Sequence, residues 1–86
     1  MGGEEAEQQR RVEEAAALLV ETLDNLRRRP SDQMGAAARV ALLDLRPHVE
    51  AALETLESVE ERRALTDRER ELQRAFKMLL VARRLP

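Results

Sequence analysis

Residues 34–63 have the sequence MGAAARVALLDLRPHVEAALETLESVEERR, and their pattern predicts the central element of the fold. Apolar residues recur in this stretch at alternating steps of four and three, the spacing of one face of an α-helix. The set comprises Ala38, Leu42, Leu45, Val49, Ala52, Leu56 and Val59. Ala41 and Leu53 widen this stripe into a face that is able to pack against a core. A strand would need alternation with period two, so the stretch predicts one long amphipathic helix.

Pro47 lies inside this predicted helix. Proline removes a backbone donor and crowds the carbonyl group four residues earlier, which here belongs to Leu43. The helix therefore either breaks, with Pro47 in the first turn of a new helix, or continues with a kink. Leu45 and Val49 keep the phase of the stripe across the proline, and Pro47 falls on the outer face. We favour one continuous helix that is kinked at Pro47.

Two further helices flank the central one. We predict helix one over about residues 4–28, helix two over about 32–63 and helix three over about 66–84. The apolar stripe of helix one comprises Val12, Ala16, Leu19, Leu23 and Leu26. That of helix three comprises Leu72, Ala75, Phe76 and Leu79, with Ala82 or Leu85 as its extension. Because short connections make neighbouring helices antiparallel, the predicted fold is all-α. It is an antiparallel three-helix bundle, or an extended helical hairpin plus a third helix, in a single domain.

Both turns carry helix-capping signals. Ser31 or Asp32 is suited to cap the start of helix two, because either side chain accepts a hydrogen bond from a free backbone amide. Thr66 and Glu69 have the spacing of a capping box at the start of helix three. In that motif each side chain accepts a hydrogen bond from the other residue's amide.

Composition narrows the class of protein. The chain of 86 residues has no cysteine, which argues against a disulfide framework and favours a reducing, cytoplasmic compartment. Charged residues make up 37% of the chain with a net charge of −2, as expected for a solvated helical surface. No apolar run approaches ~18 residues, and the start lacks a signal-peptide pattern, so we expect no membrane association. Phe76 is the sole aromatic residue, which argues against base stacking on single-stranded nucleic acid.

A mismatch in the predicted packing points to a partner. Counted from the first turn, residues 15–20 of helix one lie level with residues 40–45, and both segments are apolar. Counted from the second turn, residues 72–79 lie level with about residues 51–56, where helix one offers only its polar residues 4–11. An apolar seam would therefore face water in an isolated chain, which monomers rarely tolerate. The predicted partner-binding residues are Leu53, Leu56, Leu72, Phe76, Leu79 and Leu80.

Two arrangements would cover this seam. A second copy about a two-fold axis, or another helical protein, would bury it from outside, and we favour a homodimer. Alternatively, the kink at Pro47 closes helix two over the gap and gives a compact monomer. The function expected from the first arrangement is a protein–protein interaction or assembly module.

The alternative function is a small DNA-binding or regulatory protein that uses an arginine-rich surface. Two clusters supply this surface, residues 27–29 and a C-terminal group. The C-terminal group comprises Arg62, Arg63, Arg68, Arg70, Arg74, Arg83 and Arg84. Acidic residues interleave with these arginines and weaken their field, so we favour this function less.

Candidate catalytic and metal-binding groups are few. Asp44 and His48 share one helix face, but two such groups make a poor metal site. Glu54 and Glu57 have a Glu-x-x-Glu spacing similar to that of the magnesium-binding pairs in all-α nucleotide pyrophosphatases, but no Glu-x-x-Asp partner follows. No nucleophile–base set and no glycine-rich phosphate loop occurs. We therefore expect no enzyme activity, no cofactor and no metal.

Overall fold

A computed structural model describes residues 3–82 and confirms the all-α class. The chain forms α1 (Gly3–Arg27), α2 (Ser31–Arg62) and α3 (Asp67–Ala82), and these residues contain no strand. Each boundary lies within one residue of its predicted position, apart from the end of the third helix. The predicted extension to residue 84, like Leu85, lies outside the described residues, and so does the side chain of Ala82.

The central helix is continuous through Pro47, so the alternative of two separate helices is wrong. Leu45 and Val49 are both buried on the same face, while Pro47 is exposed on the other side. The stripe therefore keeps its phase, as the sequence indicated. Leu43, whose carbonyl group loses its donor at Pro47, is itself an exposed residue. A kink at Pro47 stays a prediction.

The first turn differs from its prediction. Pro30 occupies the N-cap position of α2, and no side chain caps the helix. Instead, the backbone amide of Gln33 donates to the carbonyl oxygen of Pro30 at 3.0 Å. The predicted cap by Ser31 or Asp32 is wrong, because the helix begins at Ser31 and both residues lie inside its first turn. Asp32 still places a negative charge near the positive end of the helix dipole.

The second turn confirms the capping box. The amide of Thr66 donates to Oε1 of Glu69 at 2.8 Å, and the amide of Glu69 donates to Oγ1 of Thr66 at 3.1 Å. Two of the free amides at the start of α3 are thereby satisfied. This fixes where α3 begins and how it leaves the turn.

One apolar cluster forms the core, and all three helices contribute to it. Phe76 and Leu56 are its most enclosed large side chains, each 0% exposed. The other buried apolar residues are Val12, Ala15, Ala16, Leu45, Val49, Ala52, Val59, Leu65 and Leu72. Every buried residue of α2 thus lies at Leu45 or beyond it, and every buried residue of α1 lies before residue 17. The core occupies the end of the molecule that contains the second turn.

The expectation that Leu72 and Phe76 face water in an isolated chain is wrong, because both are buried by their own chain. The error lies in the axial position of α1. Glu5 contacts Arg63 beyond the end of α2, and Gln8 accepts a hydrogen bond from Arg62. Glu5 and Gln8, in the polar first turns of α1, therefore reach the end of α2 and not its middle. This places the apolar residues that follow them beside the seam.

The other end of the molecule has no such core. Between Ala16 and Leu45 every described residue is either half-buried or exposed. Leu79 and Leu80, near the end of α3, are half-buried and lie beside Leu42 and Leu45. We call residues 17–44 the open hairpin, since they form the halves of α1 and α2 that meet at the first turn. A packing mismatch therefore exists, but at the end opposite to the predicted one.

Replacement of Phe76 by alanine tests the position of the core. Because the ring is fully enclosed, Phe76→Ala is expected to lower the free energy of unfolding by about 3–5 kcal/mol. Met78→Ala is the matched control on the same helix, since Met78 is 66% exposed, and we expect a change within ~0.5 kcal/mol. Urea unfolding followed by circular dichroism measures both. Equal midpoints for the two variants would contradict the enclosed position of Phe76.

Candidate interaction surface

An ion pair at the second turn connects all three helices. The guanidinium of Arg63 donates to both carboxylate oxygens of Glu69, with Nη1–Oε1 and Nη2–Oε2 distances of 2.9 and 3.0 Å. Its Nε donates to Oε1 of Glu5 at 2.7 Å. Arg63 thus joins the end of α2 to the first turns of α1 and α3. A second link between α1 and α3 comes from Arg68, whose Nη2 lies 3.1 Å from Oε2 of Glu13.

Glu69 is the one buried charged residue among those described, and its environment favours the ionised form. The hydrogen bonds from Arg63, together with those from Thr66, lower the pKa of Glu69 from an ordinary 4.5 to about 2. The hydrogen bonds that Arg63 donates to Glu69 and to Glu5 raise the pKa of Arg63. No buried side-chain nitrogen or oxygen atom of the described residues lacks a hydrogen-bond partner. The buried polar atoms of this network therefore all have hydrogen-bond partners, and we assign the network a structural role.

The residues singled out for catalysis or metal binding lie on the surface. Asp44, His48, Glu54 and Glu57 are all exposed. Across residues 3–82, no three His, Cys, Asp or Glu side chains converge on a position where they could hold a metal ion. These side chains are solvated polar groups on the surface of α2.

The arginine-rich surface is divided by carboxylates. Arg63 and Arg68 are paired with acidic residues of other helices. In the first cluster, Nη2 of Arg28 lies 3.0 Å from Oδ2 of Asp24. Arg83 and Arg84 lie outside the described residues. Pairing of this kind lowers the positive potential that a phosphate backbone would meet.

The predicted partner-binding residues fall into two groups. Leu56, Leu72 and Phe76 are buried inside the single chain. Leu53, Leu79 and Leu80 are half-buried and pack against the core. Partner binding at these six residues stays a prediction, but the exposure on which it depended is partial and limited to the second group.

The large exposed apolar side chains lie mostly elsewhere. Four of the six belong to the open hairpin: Val20, Leu23, Val40 and Leu43. The other two, Met78 and Val81, lie on the outer side of α3. The open hairpin was not predicted, because residues 15–20 and 40–45 were interpreted as a closed apolar contact. The signal that would have found it is length, since α3 has 16 residues and α2 has 32.

A groove of about 580 Å³ runs along the open hairpin, and we call it the distal groove. Its first wall comprises Thr22, Asn25, Leu26 and Arg29, from α1 and the first turn. Its floor and second wall come from α2 and comprise Gln33, Ala36, Ala37, Val40, Ala41 and Asp44. The alanines give the groove a shallow apolar floor, so the backbone of a neighbouring helix could approach closely. Arg29 and Gln33 lie at the end near the turn, whereas Thr22 and Asp44 lie at the end near the core.

Comparison with known proteins adds no assignment to this surface. No protein-family model, curated protein or solved structure matches the chain. None of the helices within residues 3–82 combines the length and hydropathy needed to cross a bilayer.

Replacement of Glu69 by glutamine tests the ion pair through its dependence on pH. A carboxylate whose pKa is lowered on folding stabilises the fold fully above its unfolded pKa. That contribution is lost as the pH falls from 4.5 through about 2. Glu69→Gln should therefore lower the free energy of unfolding by about 2 kcal/mol at pH 7, a figure reduced because Arg63 is partly solvated. Near pH 2 the variant and the wild type should converge.

Glu13→Gln is the matched control for this measurement, because Glu13 pairs with Arg68 through exposed side chains. Exposed pairs contribute about 0–1 kcal/mol, so its stability should follow that of the wild type across the pH range. Thermal unfolding followed by circular dichroism at several pH values makes the comparison. A wild-type protein whose stability is the same at pH 7 and pH 2.5 would rule out the proposed contribution of Glu69.

Proposed function

We propose that this chain is a helical interaction module that assembles through its open hairpin. At one end of the molecule all three helices contribute to a shared core, and the other end offers two helices without a third. The observation that carries this proposal is that no residue between Ala16 and Leu45 is buried, although this segment is rich in apolar side chains. Self-association, with a dimer favoured, is the simplest way to cover it.

Energetics favour association over prolonged exposure. Val20, Leu23, Val40 and Leu43 are 47–66% exposed. Burial of a side chain of this size contributes roughly 1.5–3 kcal/mol when it is complete. With 86 residues, the chain is close to the size of about 70–80 residues below which a core rarely supplies more than about 3–5 kcal/mol, so contacts of this size matter for the whole molecule. Binding in this region would stabilise the half of the hairpin that α3 does not reach.

The shape of the surface indicates the kind of contact. A shallow apolar groove between two helices accepts a third helix, in the manner of helix-in-groove recognition. At the core end of the hairpin, α3 is the third helix, and its half-buried Leu79 and Leu80 lie near the limit of its packing. Beyond that point a helix from another molecule would continue the packing. We therefore move the proposed contact surface from the predicted seam to the open hairpin, and we assign the module a non-enzymatic role in the cytoplasm.

A charge placed in the groove tests this function. Val40 is 60% exposed, so Val40→Asp should leave the monomer folded but place a carboxylate on the proposed contact surface. Sedimentation equilibrium is expected to show a concentration-dependent dimer for the wild type. For the variant we expect association to weaken by about 10-fold or more, since a desolvated charge costs several kcal/mol.

Met78→Asp is the matched control, because Met78 is 66% exposed on the outer side of α3. It should associate as the wild type does. A wild-type chain that stays monomeric up to about 1 mM, the range of the weakest specific contacts, would overturn self-association. Equal effects of the two substitutions would overturn the placement of the contact on the open hairpin.

A further inference from the structure

We infer that the occupant of the distal groove is the same groove of a second copy, with Arg29 of each copy paired to Asp44 of the other. The two copies are related by a two-fold axis perpendicular to the groove. This inference rests on the proposed function and names its partner. It follows from the distribution of charge along the groove, from the availability of those charges and from the shape of the floor.

Charge is distributed asymmetrically along the groove. The part of α2 that lines the groove, from Gln33 to Asp44, extends about 16 Å along the helix axis, at ~1.5 Å per residue. The positive group, Arg29, lies at the turn end and the negative group, Asp44, lies at the core end. Two copies docked in opposite directions bring each positive end against a negative end. Two copies docked in the same direction would bring like charges together, so the antiparallel two-fold arrangement is selected.

Both charges are available for a contact between molecules. Arg29 and Asp44 are exposed, and the ion pairs formed within residues 3–82 involve other groups. The neighbouring Arg28, in contrast, is held by Asp24 on its own helix. An isologous interface uses each residue twice, so one Arg29–Asp44 pairing supplies two ion pairs across the axis. The net charge of −2 leaves only weak repulsion between whole molecules.

The floor of the groove suits a copy of itself. Ala36, Ala37 and Ala41 leave a shallow surface, and Val40 stands out beside them. In the antiparallel arrangement, Val40 of each copy packs toward the alanine floor of the other. Val40 of each copy thus complements the alanine floor of the other copy, and no further partner is needed. A foreign helix would need to supply both charges in the right order, whereas a second copy supplies them by symmetry.

Charge reversal distinguishes this arrangement from other contacts. Arg29→Glu alone brings the introduced carboxylate against Asp44 twice in its homodimer, and Asp44→Arg alone places two arginines together twice. Each single variant should therefore associate about 10–100-fold more weakly than the wild type at low salt. In an equimolar mixture of the two variants, the heterodimer replaces these repulsive contacts with one pair of the original polarity and one between the two introduced groups. Both pairs join opposite charges, so the mixture should associate much more tightly than either variant alone. Sedimentation equilibrium of each protein and of the mixture gives the three affinities.

Arg28→Glu is the matched control, because it reverses a neighbouring charge that is paired within its own chain. It should change the dimer affinity little, and circular dichroism should show that all variants keep their helical content. The inference is overturned if the single variants associate as the wild type does, or if their mixture is no tighter than either variant alone. In both of those cases a Val40-sensitive dimer leaves the proposed function standing. A monomeric wild type overturns the function and this inference together.

Discussion

The structure depends on a difference in length between two helices. α2 has 32 residues and spans about 48 Å, whereas the described part of α3 has 16 residues and covers about half of it. A three-helix core therefore forms along one half of α2, and two helices remain along the other. The buried residues of α2 extend from Leu45, just before its midpoint, to Val59. The chain thus has one end that is stable by its own packing and one end whose apolar side chains remain accessible.

The ion pair between Arg63 and Glu69 holds the short second turn, and the shortness of that turn determines which half of α2 is covered. Together with the Thr66 capping box, the ion pair fixes α3 against the end of α2, so α3 must run back along the second half of that helix. Arg63 also contacts Glu5, so the same arginine that holds α3 fixes the axial position of α1. Charge–charge contacts of this kind contribute less free energy than the apolar core does, but they select one arrangement of the helices over its axially shifted alternatives.

Local signals in the sequence were sufficient for the helices but not for their offset. The four-and-three periodicity indicated the continuity of α2 through Pro47, and the Thr66–Glu69 spacing indicated the start of α3, because both depend on residues close in sequence. The axial position of α1 depends on Arg63 and Glu5, which are 58 residues apart. No pattern in either segment indicates that contact. The predicted exposure of Leu72 and Phe76 was wrong for this reason, and the open hairpin was overlooked because residues 15–20 and 40–45 were assigned to a closed contact.

The same division of the molecule explains why assembly at the open hairpin is physically reasonable. A region with few buried contacts opens locally at a smaller free-energy cost than a region with a core, so we expect residues 17–44 to open more readily than the core end. Binding there orders the groove walls, and part of the interaction free energy is consumed by that ordering. Affinity is therefore expected to be moderate, and apolar area alone would not select a partner. Selectivity has to come from the charges at the groove ends, whose opposite signs make the surface complementary to itself when one copy is reversed.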